Sequence, residues 1–126
     1  MKKCILILVT FISVMAQAQV IYKSDSVLAP NLQSCVSRKI QKLCPATAAW
    51  RLQEENTVVA HVRFDQYIEQ YFTTDFSVYG TDSDGYHPRQ FGLTVLTEVT
   101  QGYDHEEKDW FVVSVTIQKD PNGICQ

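Results

Sequence analysis

Leu28, Leu32, Cys35, Val36, Ile40 and Leu43 recur three or four residues apart, which places them on one face of a helix with Arg38, Lys39 and Lys42 on the other. Pro30 suits the first turn, where its missing N–H costs nothing. The basic trio falls in the last turns, where positive charge complements the helix dipole. Cys44 precedes Pro45, and the residue before a proline disfavours helical geometry, so the helix ends there. From Ala48 the apolar period changes to two. Trp50 and Leu52 alternate with polar neighbours, and Glu55-Asn56 reads as a turn. Val58, Ala60, Val62 and Phe64 then form one apolar face, with Val59, His61 and Arg63 on an opposite, wetter side.

Helical spacing returns in Phe64, Tyr67, Ile68, Tyr71 and Phe72 and predicts a short second helix over 65–72. Phe76 to Tyr79 predicts a strand, and the turn formers between Thr81 and Pro88 predict a loop. Phe91, Leu93, Val95 and Val99 alternate, as do Phe111, Val113, Val115 and Ile117; the polar run 102–109 between them reads as a long hairpin loop. Asp120-Pro-Asn-Gly123 turns the chain toward Cys125. The expected fold is α+β: an N-terminal helix packed on an antiparallel sheet of four to five strands, with a short second helix.

The first 18 residues stand apart from this pattern. Lys2 and Lys3 precede an apolar run from Cys4 to Met15, and Ala16-Gln17-Ala18 offers small residues at a cleavage site. The run is shorter than the roughly 20 residues that span a bilayer. Residues 1–18 are therefore expected to be a removed signal peptide of bacterial type, leaving 19–126 as a single globular domain with no membrane span, periplasmic or secreted. The full chain carries 11 basic and 14 acidic residues, and loss of Lys2 and Lys3 makes the balance more acidic. That acidity lies in the second half: residues 64–126 hold Arg89, Lys108 and Lys119 as their basic groups and eleven Asp or Glu. Such a surface repels a phosphate backbone, which argues against nucleic acid and for a protein partner with a basic surface.

Processing removes Cys4 and leaves Cys35, Cys44 and Cys125 in an oxidising compartment. Cys35 and Cys44 in one continuous helix would lie about 13 Å apart, beyond disulfide reach. A bond from Cys125 to Cys44 is the favoured pairing and Cys35–Cys125 the alternative. A Cys35–Cys44 bridge would require the chain to turn between the two. The third thiol is expected to be buried or to link two chains, giving a monomer or a disulfide-linked dimer.

Known catalytic patterns are not found. There is no Gly-x-Ser-x-Gly, no phosphate-binding glycine loop, and His105-Glu106 lacks the second histidine of a zinc helix, Asp109 standing in its place. Asp82-Ser83-Asp84-Gly85 opens like a calcium loop, but Leu93 stands where the closing glutamate belongs. No cofactor and no metal are expected. Val58-Val59-Ala60, a helix ahead of the sheet and Trp110 opening the last strand resemble secreted cystatin-like inhibitors. His61, however, occupies the place of that family's central glycine, and the segment continues as a strand, so no family follows.

Tyrosines are favoured where one end of a side chain stays wet, and two tyrosine-bearing acidic segments stand out. Tyr79, Asp82, Asp84 and Tyr86 form one; Tyr103, Asp104, Glu106 and Glu107 form the other. They point to a non-catalytic binding domain, of inhibitor or immunity type or an accessory subunit of an envelope or secretion assembly. The competing expectation is a small ligand-binding or hydrolytic domain with a helix–sheet pocket around His61, Asp65 and Tyr67.

Overall fold

A computed structural model describes residues 19–63, 68–81, 85–101 and 110–125. Five strands form one sheet in chain order: β1 (Gln19–Ile21), β2 (Arg51–Arg63), β3 (Ile68–Thr81), β4 (Pro88–Gln101) and β5 (Trp110–Lys119). Helix α1 (Pro30–Leu43) and a single 3-10 turn (Pro45–Ala48) connect β1 to β2. β1 runs parallel to β2, whereas β2 to β5 form an antiparallel meander. The α+β class is as expected, with two corrections. The helix is not N-terminal, because β1 precedes it, and the sheet is mixed and curls into a half-barrel.

The second helix is also corrected. Ile68 to Phe72 belong to β3, and residues 64–67 lie outside the described part of the chain. Phe72, Thr74, Phe76 and Val78 are buried at every second position. β3 is paired on both sides along most of its length. That pairing, with the fit of aromatic and β-branched residues to a pleated surface, overrides a five-residue stretch of helical spacing.

Two of the three register shifts in the sheet decide which side chains enter the core. In β2, Glu54 pairs with Phe76 and Asn56 with Asp75, so Glu55 is an extra residue. Glu55-Asn56 is a bulge inside one continuous strand and not a turn. An inserted residue reverses the side-chain alternation beyond it. Leu52 and Glu54 are buried before the bulge, and Val59 packs on the core after it. Val58 (58% exposed) and Val62 (38% exposed) consequently face outward, the reverse of the expected arrangement. β5 repeats the device. Ser114 pairs with Glu98 and Val112 with Val99, leaving Val113 unpaired and half exposed. Trp110 and Val112 join Val115 and Ile117 on the core, and the expected four-residue stripe is split at Val113.

The helix behaves as its spacing requires. Leu32, Cys35, Val36 and Ile40 are buried, and Leu28 is buried just ahead of it. Leu43, in its final position, is largely exposed instead of completing the apolar face. Pro30 occupies the first turn behind Ala29, which offers no side-chain cap; Gln33 Nε2 donates to Leu28 O at 2.6 Å instead. α1 packs mainly against β5, and each large aliphatic side chain it buries contributes about 1.5–3 kcal/mol.

Cys44, the residue after the helix, is bonded to Cys125, as favoured. Asp120 prepares that bond. Its two carboxylate oxygens accept from Ile124 N and Cys125 N, each at 2.9 Å, while Gly123 N donates to Asp120 O at 3.0 Å. Gly123 takes a positive φ of 67°, which glycine adopts without strain. Cys35 is buried on the inner face of α1 and is itself disulfide-bonded.

Candidate functional site

The convex face of the sheet is readable from the register. Side chains opposite the buried row Phe72, Thr74, Phe76 and Val78 point outward, and three carboxylates fall among them: Glu69, Asp75 and Glu98. Each is held by a neighbour on the same face. Tyr71 Oη donates to Glu69 Oε1 at 2.7 Å, Thr94 Oγ1 to Asp75 Oδ1 at 2.8 Å, and Ser114 Oγ to Glu98 Oε1 at 3.3 Å. These bonds restrict the carboxylates while leaving each an acceptor oxygen for an incoming donor. Val58 and Val62 are exposed on the same side, Val62 directly opposite Glu69. The sequence hid this set because the acids are spread over two strands and share a face only through the ladder, which sets Glu69 diagonal to Glu98 and Asp75 further along.

The end of the sheet where β3 gives way to β4 is aromatic and cationic. Trp50 stacks on Phe91 with ring centroids 5.5 Å apart and planes 14° from parallel. Arg51 lies over the Tyr79 ring at 4.9 Å and Arg89 over Phe91 at 5.3 Å, the arrangement in which a guanidinium is attracted to a ring face. Trp50, Arg51, Tyr79, Gly80 and Thr81 line an open cleft of about 510 Å³, with Gln19 of β1 at its rim. Gly80 permits the stack: a Cβ there would lie 2.3 Å from two atoms of the indole. Gly80→Ala is expected to lift Trp50 off Phe91 and cost about 1–3 kcal/mol, the usual penalty of overpacking. Near-ultraviolet circular dichroism checks it through loss of the tryptophan signal.

Tyr79 and Tyr86 are thereby placed. Tyr79 is half buried beneath Arg51, and Tyr86 is 82% exposed. Asp82 and Asp84, with Tyr103, Asp104, Glu106 and Glu107, lie outside the described residues. The strand ends that flank them are described, however. Thr81 and Pro88 pair at one end of β4, and Gln101 pairs with Trp110 at the other. The described strand residues that flank the two tyrosine-bearing connections thus stand at opposite ends of β4.

His61 is exposed, its Nδ1 3.3 Å from Gln70 Nε2, while Asp65 and Tyr67 are outside the described residues. Among the described residues no group of three or more His, Cys, Asp or Glu is placed to hold a metal ion.

Glu54 is the least expected feature. It is a charged residue type, yet only 2% exposed. Its carboxylate accepts from Lys23 N at 2.9 Å, from Ser26 Oγ at 3.2 Å and from the Thr57 hydroxyl. Lys23 Nζ reaches Glu55 O at 2.8 Å. Glu54 thus clamps the segment after β1 onto the bulge of β2, and the buried polar group is satisfied, as burial requires. Tyr22, beside it, packs edge-on to Phe76 at 5.9 Å and accepts from Ser37 Oγ at 3.5 Å. Burial, aided by the charge of Glu54, pushes the Tyr22 phenol up to about 12, against the opposing effect of Ser37.

An alkaline consequence follows. Below pH 10 the phenol is protonated in both folded and unfolded chains. Between about 10 and 12 it ionises in the unfolded chain first, so stability falls as pH rises through that window. Tyr22→Phe is expected to flatten that decline, as read from urea midpoints at pH 9 and pH 11; an identical decline in both proteins would contradict the assignment.

Neither a family model, nor a curated protein, nor a solved structure matches this chain.

Proposed function

We propose that the protein is a small exported, non-catalytic protein-binding domain, periplasmic or secreted, whose partner presents a basic surface. The observation that carries this reading is the convex face, where Glu69, Asp75 and Glu98 are held in fixed positions among exposed valines. Opposite charge steers such a partner into contact, and the apolar side chains between the acids supply area to bury. Asp82 and Asp84, which follow β3 in sequence, and Asp104, Glu106 and Glu107, which follow β4, add to the acidity of the chain's second half. Export is supported by the signal-like first 18 residues and by a Cys44–Cys125 disulfide, a bond that persists in oxidising compartments. An inhibitor or immunity protein against a cationic enzyme or toxin is one form of this function. An accessory subunit of an envelope or secretion assembly is the other.

Affinity capture from the producing cell's envelope and culture medium tests the proposal. The expected result is a stoichiometric protein partner that is retained at low salt and lost at high salt. Capture unaffected by salt would contradict the acidic face as the binding element.

A further inference from the structure

Beyond any such partner, the open edge of β2 has a chemistry of its own. β1 covers only Arg51, Leu52 and Gln53 of the thirteen-residue β2. The chain then leaves the sheet because Lys23 N is drawn to the Glu54 carboxylate, and Lys23 Nζ occupies the Glu55 carbonyl. From Asn56 to Arg63, β2 is paired on its β3 side alone among the described residues. A row of backbone donors and acceptors along a strand edge fits one kind of occupant, another extended chain.

The side chains on this edge narrow the choice further. Natural edges are guarded by lysine, proline or inward charge, yet Thr57-Val-Val-Ala-His-Val62 contains none of these. Val58 and Val62 are both exposed on the convex side, with Ala60 midway between them. We propose that the protein forms a two-fold dimer by antiparallel pairing of β2 with β2 of a second copy, centred on Ala60. In that register Val58 of each copy faces Val62 of the other on the convex side, and Val59 faces His61 on the concave side. Arg63 falls opposite Thr57, so no like charges meet across the axis. An isologous contact of this kind is self-limiting and closes at two chains. The result would be one continuous sheet of doubled width, with the acidic convex faces of both copies side by side.

Sedimentation equilibrium of the purified protein, from about 1 to about 200 µM, reads the assembly directly. The expected result is a dimer in solution that runs as monomer-sized chains on a non-reducing denaturing gel. A monomer throughout the range, or a dimer held by an interchain disulfide, would overturn the proposal. Val58→Lys with Val62→Lys brings positive charges of opposite copies together and should weaken dimerisation roughly tenfold or more. Val58→Glu with Val62→Lys changes the same two exposed positions but places opposite charges in register, and should dimerise like the native protein. Equal behaviour of the two double variants would overturn the register, because only pairing of position 58 with position 62 separates them.

Discussion

Cys44→Ala with Cys125→Ala is expected to lower the unfolding free energy by about 4 kcal/mol, which for a domain of this size is a fall in Tm of roughly 15–20 °C. The bond closes a sequence separation of 81 residues, so its loss releases a large part of the chain in the unfolded state. It also ties two elements that have little else in common. α1 and its following turn are held at one side, and the terminal turn after β5, which Asp120 builds around Ile124 and Cys125, at the other. Differential scanning calorimetry of the double variant measures the effect. At room temperature its far-ultraviolet circular dichroism should match the native protein, because Leu32, Val36 and Ile40 still pack on the sheet. A Tm within about 3 °C of native would mean that the loop-closure argument fails.

The second large effect belongs to Glu54. Glu54→Ala leaves Lys23 N, Ser26 Oγ and the Thr57 hydroxyl without their acceptor in a site almost closed to water. An unsatisfied buried donor costs about 1–3 kcal/mol, and partial hydration of the vacated volume brings the expected total to about 2–4 kcal/mol. Glu54→Gln should lose about half as much, because its amide oxygen can serve one set of donors while its NH₂ group opposes the other. Urea unfolding gives the energies, and hydrogen exchange at the Lys23 amide gives the mechanism. That amide should pass from protected to rapidly exchanging in the alanine variant, since β1 has only three residues to hold the segment in place. Unchanged protection at Lys23 would show that another contact secures the segment.

The legible parts of this fold were those where one local rule acted alone. The 3.6-residue period, Pro30 and Cys44-Pro45 together marked α1, and the Asp120-Pro-Asn-Gly123 turn marked the approach of Cys125 to Cys44. The strands were legible as strands, but their faces were not. One extra residue at Glu55 and another at Val113 reverse the alternation beyond them, and nothing in the local pattern distinguishes a bulge from a continuous strand or from a turn. The second helix was misread for a related reason: Ile68, Tyr71 and Phe72 fit helical spacing, while their pairing with Arg63, Ala60 and Val59 is fixed by residues distant in sequence.

The candidate surfaces were obscured in the same way. Tyr79 and Tyr86 stood out by composition and do lie near one end of the sheet. Tyr103 and its acidic neighbours lie outside the described residues. Glu69, Asp75 and Glu98 are unremarkable as single residues, and only the β3–β4 ladder assembles them into a face. Glu54 could have been noticed as an acid in an inward-facing position of β2, two residues after the apolar Leu52. The Arg51–Tyr79 and Trp50–Phe91 contacts likewise needed the register that sets β2, β3 and β4 side by side.

Partner capture by the native protein and by the Glu69→Lys, Asp75→Lys, Glu98→Lys variant, compared in parallel at low salt, probes the convex face most directly. All three residues are on the sheet surface and outside the core, so the variant should fold and melt close to the native protein. If the face binds a basic partner, the folded variant will fail to retain the protein that the native chain captures. If the variant captures the same partner with the same salt sensitivity, the convex face is not the binding surface.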